Sequence, residues 1–454
     1  MKDKNFISVE NYRAIQKVEF SPNAINIFVG PNNCGKSSIL EAIAFNISGS
    51  NKFKDAIGND IWTELSRIKR YDPEFLVYNN AAQAVINFNT SRITIEIIEE
   101  GYPEDSRGTL IKKYFEKMVV EFIKKGSIIS ELKENYFSIP KKGSFSSIQK
   151  TLVDISESIH EDSEMQENEN FETLKDSFKN YLDQITENLL YEIFKQKKIV
   201  FTGYLKNDID YLYVSLYDLQ LMYSPVQISS RYRSISDNIF RRFLIEGLAI
   251  RTSGRMKIIG VVESSDKLKN EIIINLKHSH TQLELNQLHD LIIASNKITQ
   301  TIENLKEKIQ YFQDIRKTDD GLQIFLNNQN KPLPITSMGD GFNQLLKLTF
   351  MNALIDKGII LLEEPESSLH PGFLPILCEA ILANSKQSTF FITTHSIDFI
   401  TDILKIAEWN NQLDAVQIIR MHTMSGIQNP ELELLSGKEA KEQIEDIGID
   451  LRGI

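Results

Sequence analysis

Residues 30–38 read Gly30-Pro31-Asn32-Asn33-Cys34-Gly35-Lys36-Ser37-Ser38, a G-x-x-x-x-G-K-S run whose side chains suit one task, holding a polyphosphate. Its backbone N–H groups would point at anionic oxygens, Lys36 would reach the β- and γ-phosphates, and the Ser37 hydroxyl is placed to ligate Mg²⁺. A Gly-rich turn with a stray lysine would look the same in isolation, so the flanks decide. Residues 24–29 are a short apolar run that reads as a buried strand, and residues 39–45 have the apolar spacing of a helix packed on a sheet. Strand, loop and helix in that order predict a nucleoside triphosphate site. Cys34 sits inside the loop, where a helix N-terminus lowers a thiol pKa. A tolerated loop position is the plainer reading of it.

Hydrolysis needs a second half that holds metal and polarises water. Residues 358–362 read as a buried strand ending in Glu363-Glu364-Pro365-Glu366. An acidic pair at that end of a strand suits a metal carboxylate, Glu363, followed by a general base, Glu364. Residues 389–394 form another strand pattern with His395-Ser396 at its tip. One helix separates the two strands, as a right-handed parallel crossover requires, so His395 is expected on the same sheet edge as Glu364, near the γ-phosphate. Upstream, Ser337, Gly339 and Gly341 open a helix expected over residues 342–354, a second anion-binding nest. One nucleotide cannot easily use two nests of one chain. Two copies arranged head to tail, with the nucleotide between them, can use both.

These motifs in this order resemble an ABC-type ATPase: phosphate loop, long insertion, S-x-G-x-G helix start, E-E-P-E-x-x-L-H-P ending in His370-Pro371, then Thr393-Thr394-His395-Ser396. Within that class the chain resembles the overcoming-lysogenization-defect (OLD-like) ATPases, relatives of Rad50, RecF and SMC heads. Residues 1–48 and 335–396 carry the resemblance. It implies an α/β fold, an ABC-type P-loop ATPase head with a mixed sheet, an N-terminal β lobe and a helical insertion. It also implies ATP and Mg²⁺ as cofactors, Arg13 near the nucleotide, and a composite site with Ser337, Gly339 and Gly341 supplied by the partner copy. Two residue choices depart from the wider class: Glu363 stands where many members carry aspartate, and Ser-Met-Gly-Asp-Gly stands for the transporter L-S-G-G-Q.

The rest of the chain bounds the biology. At 454 residues it exceeds one ordinary core. The expected division is an N-terminal ATPase lobe over 1–105, an insertion over 106–330 and a C-terminal ATPase lobe over 331–454. Residues 83–99 read as a hairpin; Gln83 is a loose candidate for the glutamine that senses Mg²⁺, although an exposed strand-edge residue is the plainer reading. Residues 110–197 read as helical, with a carboxylate-rich run over 154–172 that suits a solvated loop or a docking site for a basic partner. Arg231, Arg233, Arg241, Arg242, Arg251, Arg255 and Lys257 form a basic stretch that could track a phosphate backbone, against a net charge of −11. Apolar residues at helical spacing from Leu288 to Phe312, interrupted at Ser295, predict a helical seam about four heptads long. After His395 one strand, residues 415–420, and a final helix, residues 437–447, are expected.

Two cysteines give no disulfide framework, no apolar run approaches the ~20 residues of a membrane span, and the N-terminus lacks a signal-peptide core, so a cytoplasmic protein is expected. OLD nucleases continue into a Toprim domain, which the tail after His395 is not expected to hold. By resemblance, then, this is an oligomeric ATPase without a nuclease of its own, like the ATPase halves of PARIS- and Septu-type anti-phage systems, whose separate effector is a nuclease or toxin. A Rad50- or RecF-type repair ATPase stimulated by DNA, and a non-catalytic ATP-dependent assembly module, are the alternatives.

Overall fold

Alternation sets the first hairpin. Strand β1 (Ile7–Tyr12) buries Ile7, Val9 and Tyr12, and β2 (Ile15–Phe20) buries Ile15, Val18 and Phe20 while Lys17 and Glu19 face solvent. The two pair antiparallel, and Lys17 bridges Glu10 and Glu19 on the exposed face. The computed structural model describes residues 6–49, 76–98 except 90, 198–216 except 206 and 207, 257–262, 271–275, and 282–445 except 356, 357, 368 and 423–429, with three isolated positions between 175 and 184. Two compact units divide the chain: Met1–Ile95, Thr202–Tyr211 and Ser264–Ile454 form the first, Glu96–Phe201 and Leu212–Glu263 the second.

In the first unit, β3 (Ile25–Val29) is buried at every position, as a strand covered on both faces must be. Its one polar member, Asn26, is satisfied by Asn23 and by the Phe390 carbonyl. Helix α1 (Lys36–Gly49) follows the phosphate loop directly and packs on β1 and on β4 (Gln83–Phe88). Strand β5 (Ser91–Ile98) completes the expected hairpin with β4, and Gln83 opens β4 half-buried. Of residues 99–263 the structure describes strands β6 (Lys198–Leu205), β7 (Asp208–Leu216) and β8 (Lys257–Val262) besides the isolated positions. The carboxylate-rich run and the basic stretch short of Lys257 lie outside the described residues.

Strand β9 (Glu271–Asn275) returns the chain to the first unit, followed by α2 (Gln282–Ala294) and α3 (Ile298–Lys308). Here the structure corrects the expected four-heptad seam. The Ser295 hydroxyl bonds back to the Leu291 and Ile292 carbonyls and Asn296 turns left-handed at φ +59°, which ends α2; Phe312 then belongs to a strand. Strands β10 (Phe312–Thr318), β11 (Gly321–Leu326) and β12 (Leu333–Pro334) make a small antiparallel sheet, and α4 (Asp340–Leu354) follows. Leu288, Ile292, Leu305, Ile309 and Phe312 are buried in one core with Phe342, Leu345 and Phe350 of α4. The seam's apolar residues are therefore occupied inside the unit, and residues 264–330, assigned to the insertion from sequence, fall in the first unit.

Strand β13 (Gly358–Glu363), helix α5 (Leu374–Asn384), strand β14 (Thr389–Thr393) and helix α6 (Ile397–Trp409) give the predicted parallel crossover. Strand β15 (Val416–His422) pairs parallel with β3, and β16 (Glu431–Ser436), a strand the sequence reading missed, returns antiparallel before α7 (Gly437–Glu445). The central sheet runs β16-β15-β3-β14-β13-β9, parallel except at β16. The fold is mixed α/β.

His289 on α2 is 2% exposed, its ring lies 6.1 Å from Phe350, and its Nδ1 has no hydrogen-bond partner among the described residues. Burial holds its pKa below the ordinary 6.5; Asp290 and Asp314 oppose that and Lys317 reinforces it. The unfolded chain therefore takes up this proton at higher pH than the folded one, so stability present above the unfolded pKa is lost as pH falls through it. Replacing His289 by Leu should flatten the acid limb of a pH–Tm profile between about pH 7 and pH 5. An unchanged acid limb contradicts this.

Candidate active site

Because β15, β3, β14 and β13 run parallel, the loops leaving their C-terminal ends gather at one sheet edge, where α/β folds place ligands. The phosphate loop leaves β3. Gly30 sits at φ +147°, and a Cβ there would meet the Met421 carbonyl oxygen at 2.5 Å, so β15 and the loop approach closely only because residue 30 lacks a side chain. Replacing Gly30 by Ala should cost on the order of 1–3 kcal/mol in backbone strain, read as a lowered Tm together with weakened nucleotide binding. A variant with normal Tm and normal binding contradicts the close fit.

Within the loop Asn33 is left-handed at φ +65° and Gly35 lies at φ +98°, and the Gly35 carbonyl accepts from the Ile39 N–H to start α1. Lys36 is 6% exposed, and its Nζ donates to the Gly30 carbonyl at 2.8 Å and the Pro31 carbonyl at 2.7 Å, with Cys34 Sγ at 3.7 Å. Burial pulls the ammonium's pKa below the usual lysine value, with the Cys34 and Glu364 charges opposing it. A buried ammonium held mainly by carbonyl oxygens is a strong seat for an anion.

Strand β14 lies between β3 and β13, with Thr393 opposite Phe28 on one side and Glu363 on the other. This register brings the predicted residues together. The Ser37 hydroxyl donates to Glu363 Oε1 at 2.6 Å, so the two expected metal ligands already touch. Glu364 follows in a left-handed turn at φ +46°, a costly conformation for a residue with a Cβ, held by its N–H on the Thr393 carbonyl and its carbonyl on the Ser367 N–H. His395 Nε2 stands 3.9 Å from Glu364 Oε1. Glu366, given no role from sequence, bridges the two strand tips. Its Oε1 accepts from the Thr394 hydroxyl at 2.5 Å and from the His395 N–H at 3.4 Å.

Arg13 is left-handed at φ +52°, and its guanidinium forms an ion pair with Glu41 of α1, whose carboxylate is fully buried. The sequence signal for that partner was an acid inside the apolar run of residues 39–45. Ser337 ends a short 3-10 turn, and Gly339 caps α4 with nothing within 4 Å of where its Cβ would be; Gly341 lies in the first turn. Ser337 and Gly339 are exposed. His370, in the most specific stretch of the resemblance, is a cap: its Nδ1 accepts from the Gly372 N–H at 3.1 Å.

A family model described as an AAA ATPase domain matches residues 4–400. The chain belongs to this AAA ATPase domain family. No curated protein matches the chain. Among solved structures, this AAA ATPase is similar to an Smc head bound to the C-winged helix domain of ScpA, at 10% identity and TM-score 0.41 over 96% of this chain and 99% of that one. An Smc head domain with an extended coiled coil, bound to the C-terminal domain of ScpA derived from Pyrococcus furiosus, gives 12% identity and TM-score 0.38 over 98% and 99%. The SMC head domain from Thermotoga maritima gives 9% identity and TM-score 0.35 over 95% and 98%. Among the described residues no helix is long and apolar enough to cross a membrane.

Proposed function

We propose that this AAA ATPase hydrolyses ATP in a site completed by a second copy of the chain and acts as a scaffold for a separate effector protein. The observation that carries the hydrolytic reading is the 2.6 Å contact between Ser37 Oγ and Glu363 Oε1 beside the Glu364–His395 pair at 3.9 Å. A hydroxyl from the phosphate loop and a carboxylate from the acidic strand fit Mg²⁺, which takes one or two protein ligands and completes its shell with phosphate oxygens and water. Among the described residues no cluster of three or more His, Cys, Asp or Glu offers an all-protein cage instead. When bound, Mg²⁺ would be held by Ser37 and Glu363 and would supply charge neutralisation at the phosphates. Lys36 exchanges its two carbonyl acceptors for phosphate oxygens, Glu364 takes a proton from the attacking water, and His395 holds the γ-phosphate edge against it.

The open surface at Ser337 and Gly339 supports the second-copy reading, because donors at that helix start suit the far side of a γ-phosphate. The effector reading rests on the resemblance to OLD-like ATPases of anti-phage systems. The purified chain should release phosphate from ATP with Mg²⁺ and stop when the metal is chelated. ATP bound without turnover would leave the assembly-module reading in its place. A nuclease that co-purifies with the chain supports the scaffold role. Duplex DNA that accelerates turnover, with no effector in the complex, overturns it in favour of a DNA-repair ATPase.

A further inference from the structure

Between the acidic strand and the histidine strand stands one carboxyl group that the proposed chemistry does not use. Glu366 lies two residues beyond Glu364, past buried Pro365, and reaches across to β14's tip. Its Oε1 accepts two hydrogen bonds, from the Thr394 hydroxyl and the His395 N–H. The Thr394 oxygen in turn accepts from the Ser396 N–H at 3.0 Å, and the Ser396 hydroxyl caps α6 through the Phe399 N–H. One carboxyl oxygen thus governs the peptide that carries His395 and, through Thr394, the start of the helix behind it. The other oxygen, Oε2, is buried with no hydrogen-bond partner among the described residues. Leaving a buried acceptor unmade costs about 1–3 kcal/mol, a cost the fold accepts at this position.

We propose that Glu366 is a positioning residue that locks His395 to the Glu364 turn, so that the group on the γ-phosphate and the group on the attacking water keep one fixed separation. This rests on the hydrolytic reading above. Glu364 reaches its place through a left-handed turn, and His395 reaches its place from a different strand. Strand pairing fixes their backbones only as far as Glu363 and Thr393. Beyond that register the contacts tying the two tips include the Glu364 N–H to the Thr393 carbonyl, the Glu364–His395 approach, and those of Glu366. Burial raises the pKa of Glu366, with the Thr394 and His395 hydrogen bonds opposing the rise; a mimic of the same shape must still accept from both donors. Glutamine is that mimic: its carbonyl can accept from both donors as Oε1 does.

The test uses the full chain and compares Glu366→Ala, Glu366→Gln and Thr394→Val with Glu364→Gln, measuring kcat and KM for ATP separately. Glu366→Ala should lower kcat by about tenfold or more, the scale of a small misplacement at a reacting centre, with KM changed by less than about twofold. Glu366→Gln should restore kcat to within about twofold of wild type, and Thr394→Val should lower it several-fold without touching KM. If alanine prevents folding, the glutamine and valine variants still carry the test. A wild-type kcat in Glu366→Ala beside a dead Glu364→Gln overturns this inference alone. Equal losses in glutamine and alanine variants also overturn it, since they would mean a role for charge rather than position. Full turnover by Glu364→Gln takes down both this inference and the reading beneath it.

Discussion

Replacing Glu364 by Gln stops turnover and leaves ATP bound. The amide keeps the side chain's size and its approach to His395 but cannot take a proton from water, so kcat should fall by ~10²-fold or more. Removing a negative charge close to the γ-phosphate should leave the dissociation constant for ATP unchanged or smaller. The reason to expect so large an effect from one oxygen is the cost the fold already accepts there: the residue occupies a left-handed turn that glycine or asparagine would fill more easily. Phosphate release under saturating ATP, paired with equilibrium binding of a fluorescent ATP analogue, checks both halves. A variant that turns over at the wild-type rate removes Glu364 from the chemistry.

Lys36→Ala fails one step earlier. In the wild-type chain its ammonium is nearly inaccessible and held by the Gly30 and Pro31 carbonyls, with a pKa lowered by burial. Phosphate oxygens restore the counter-charge that burial removed, so nucleotide binding and lysine protonation favour each other. A charge-assisted hydrogen bond contributes about 1.5–3 kcal/mol, so its loss should weaken nucleotide binding by roughly 10- to 100-fold. Titration calorimetry with ADP or a non-hydrolysable ATP analogue measures this without reference to turnover. Binding within about twofold of wild type would mean that the phosphates sit elsewhere.

The nucleotide edge was legible because its parts are local. Strands β3, β13 and β14 are buried on both faces, so they stand in the sequence as mainly apolar runs, with Asn26 inside β3, and the residues proposed for the chemistry lie at or just past their ends. What the sequence hid depends on chain geometry rather than on side-chain type. Periodicity ran through Ser295 because α2 and α3 bury the same side against α4, so the pattern continues although the helix does not. Strand β16 was missed because Glu431 and Glu433 share a face with buried Leu435 while Leu434 is exposed, so no apolar–polar alternation marks it, as an edge strand permits. Glu366 stood in plain sight within E-E-P-E. Its bond to the His395 peptide requires knowing that Glu364 turns left-handed and that β14 pairs with β13 in this register. The steric reason for Gly30 is likewise invisible until β15 brings Met421 against it.

Whether two copies share each site is tested most directly by mixing two inactive variants. Ser337→Arg blocks the surface a copy would offer to its partner's nucleotide, and Glu364→Gln blocks the base acting on a copy's own nucleotide. Each alone should be dead. In a head-to-tail pair of one Ser337→Arg and one Glu364→Gln copy, one of the two sites combines an intact Glu364 with an intact Ser337. Co-expression of the two variants under separable tags should therefore restore about a quarter of wild-type turnover to the unsorted mixture, and about half to the purified mixed pair. A mixed assembly, verified by both tags, that stays as inactive as either variant alone would contradict the shared site.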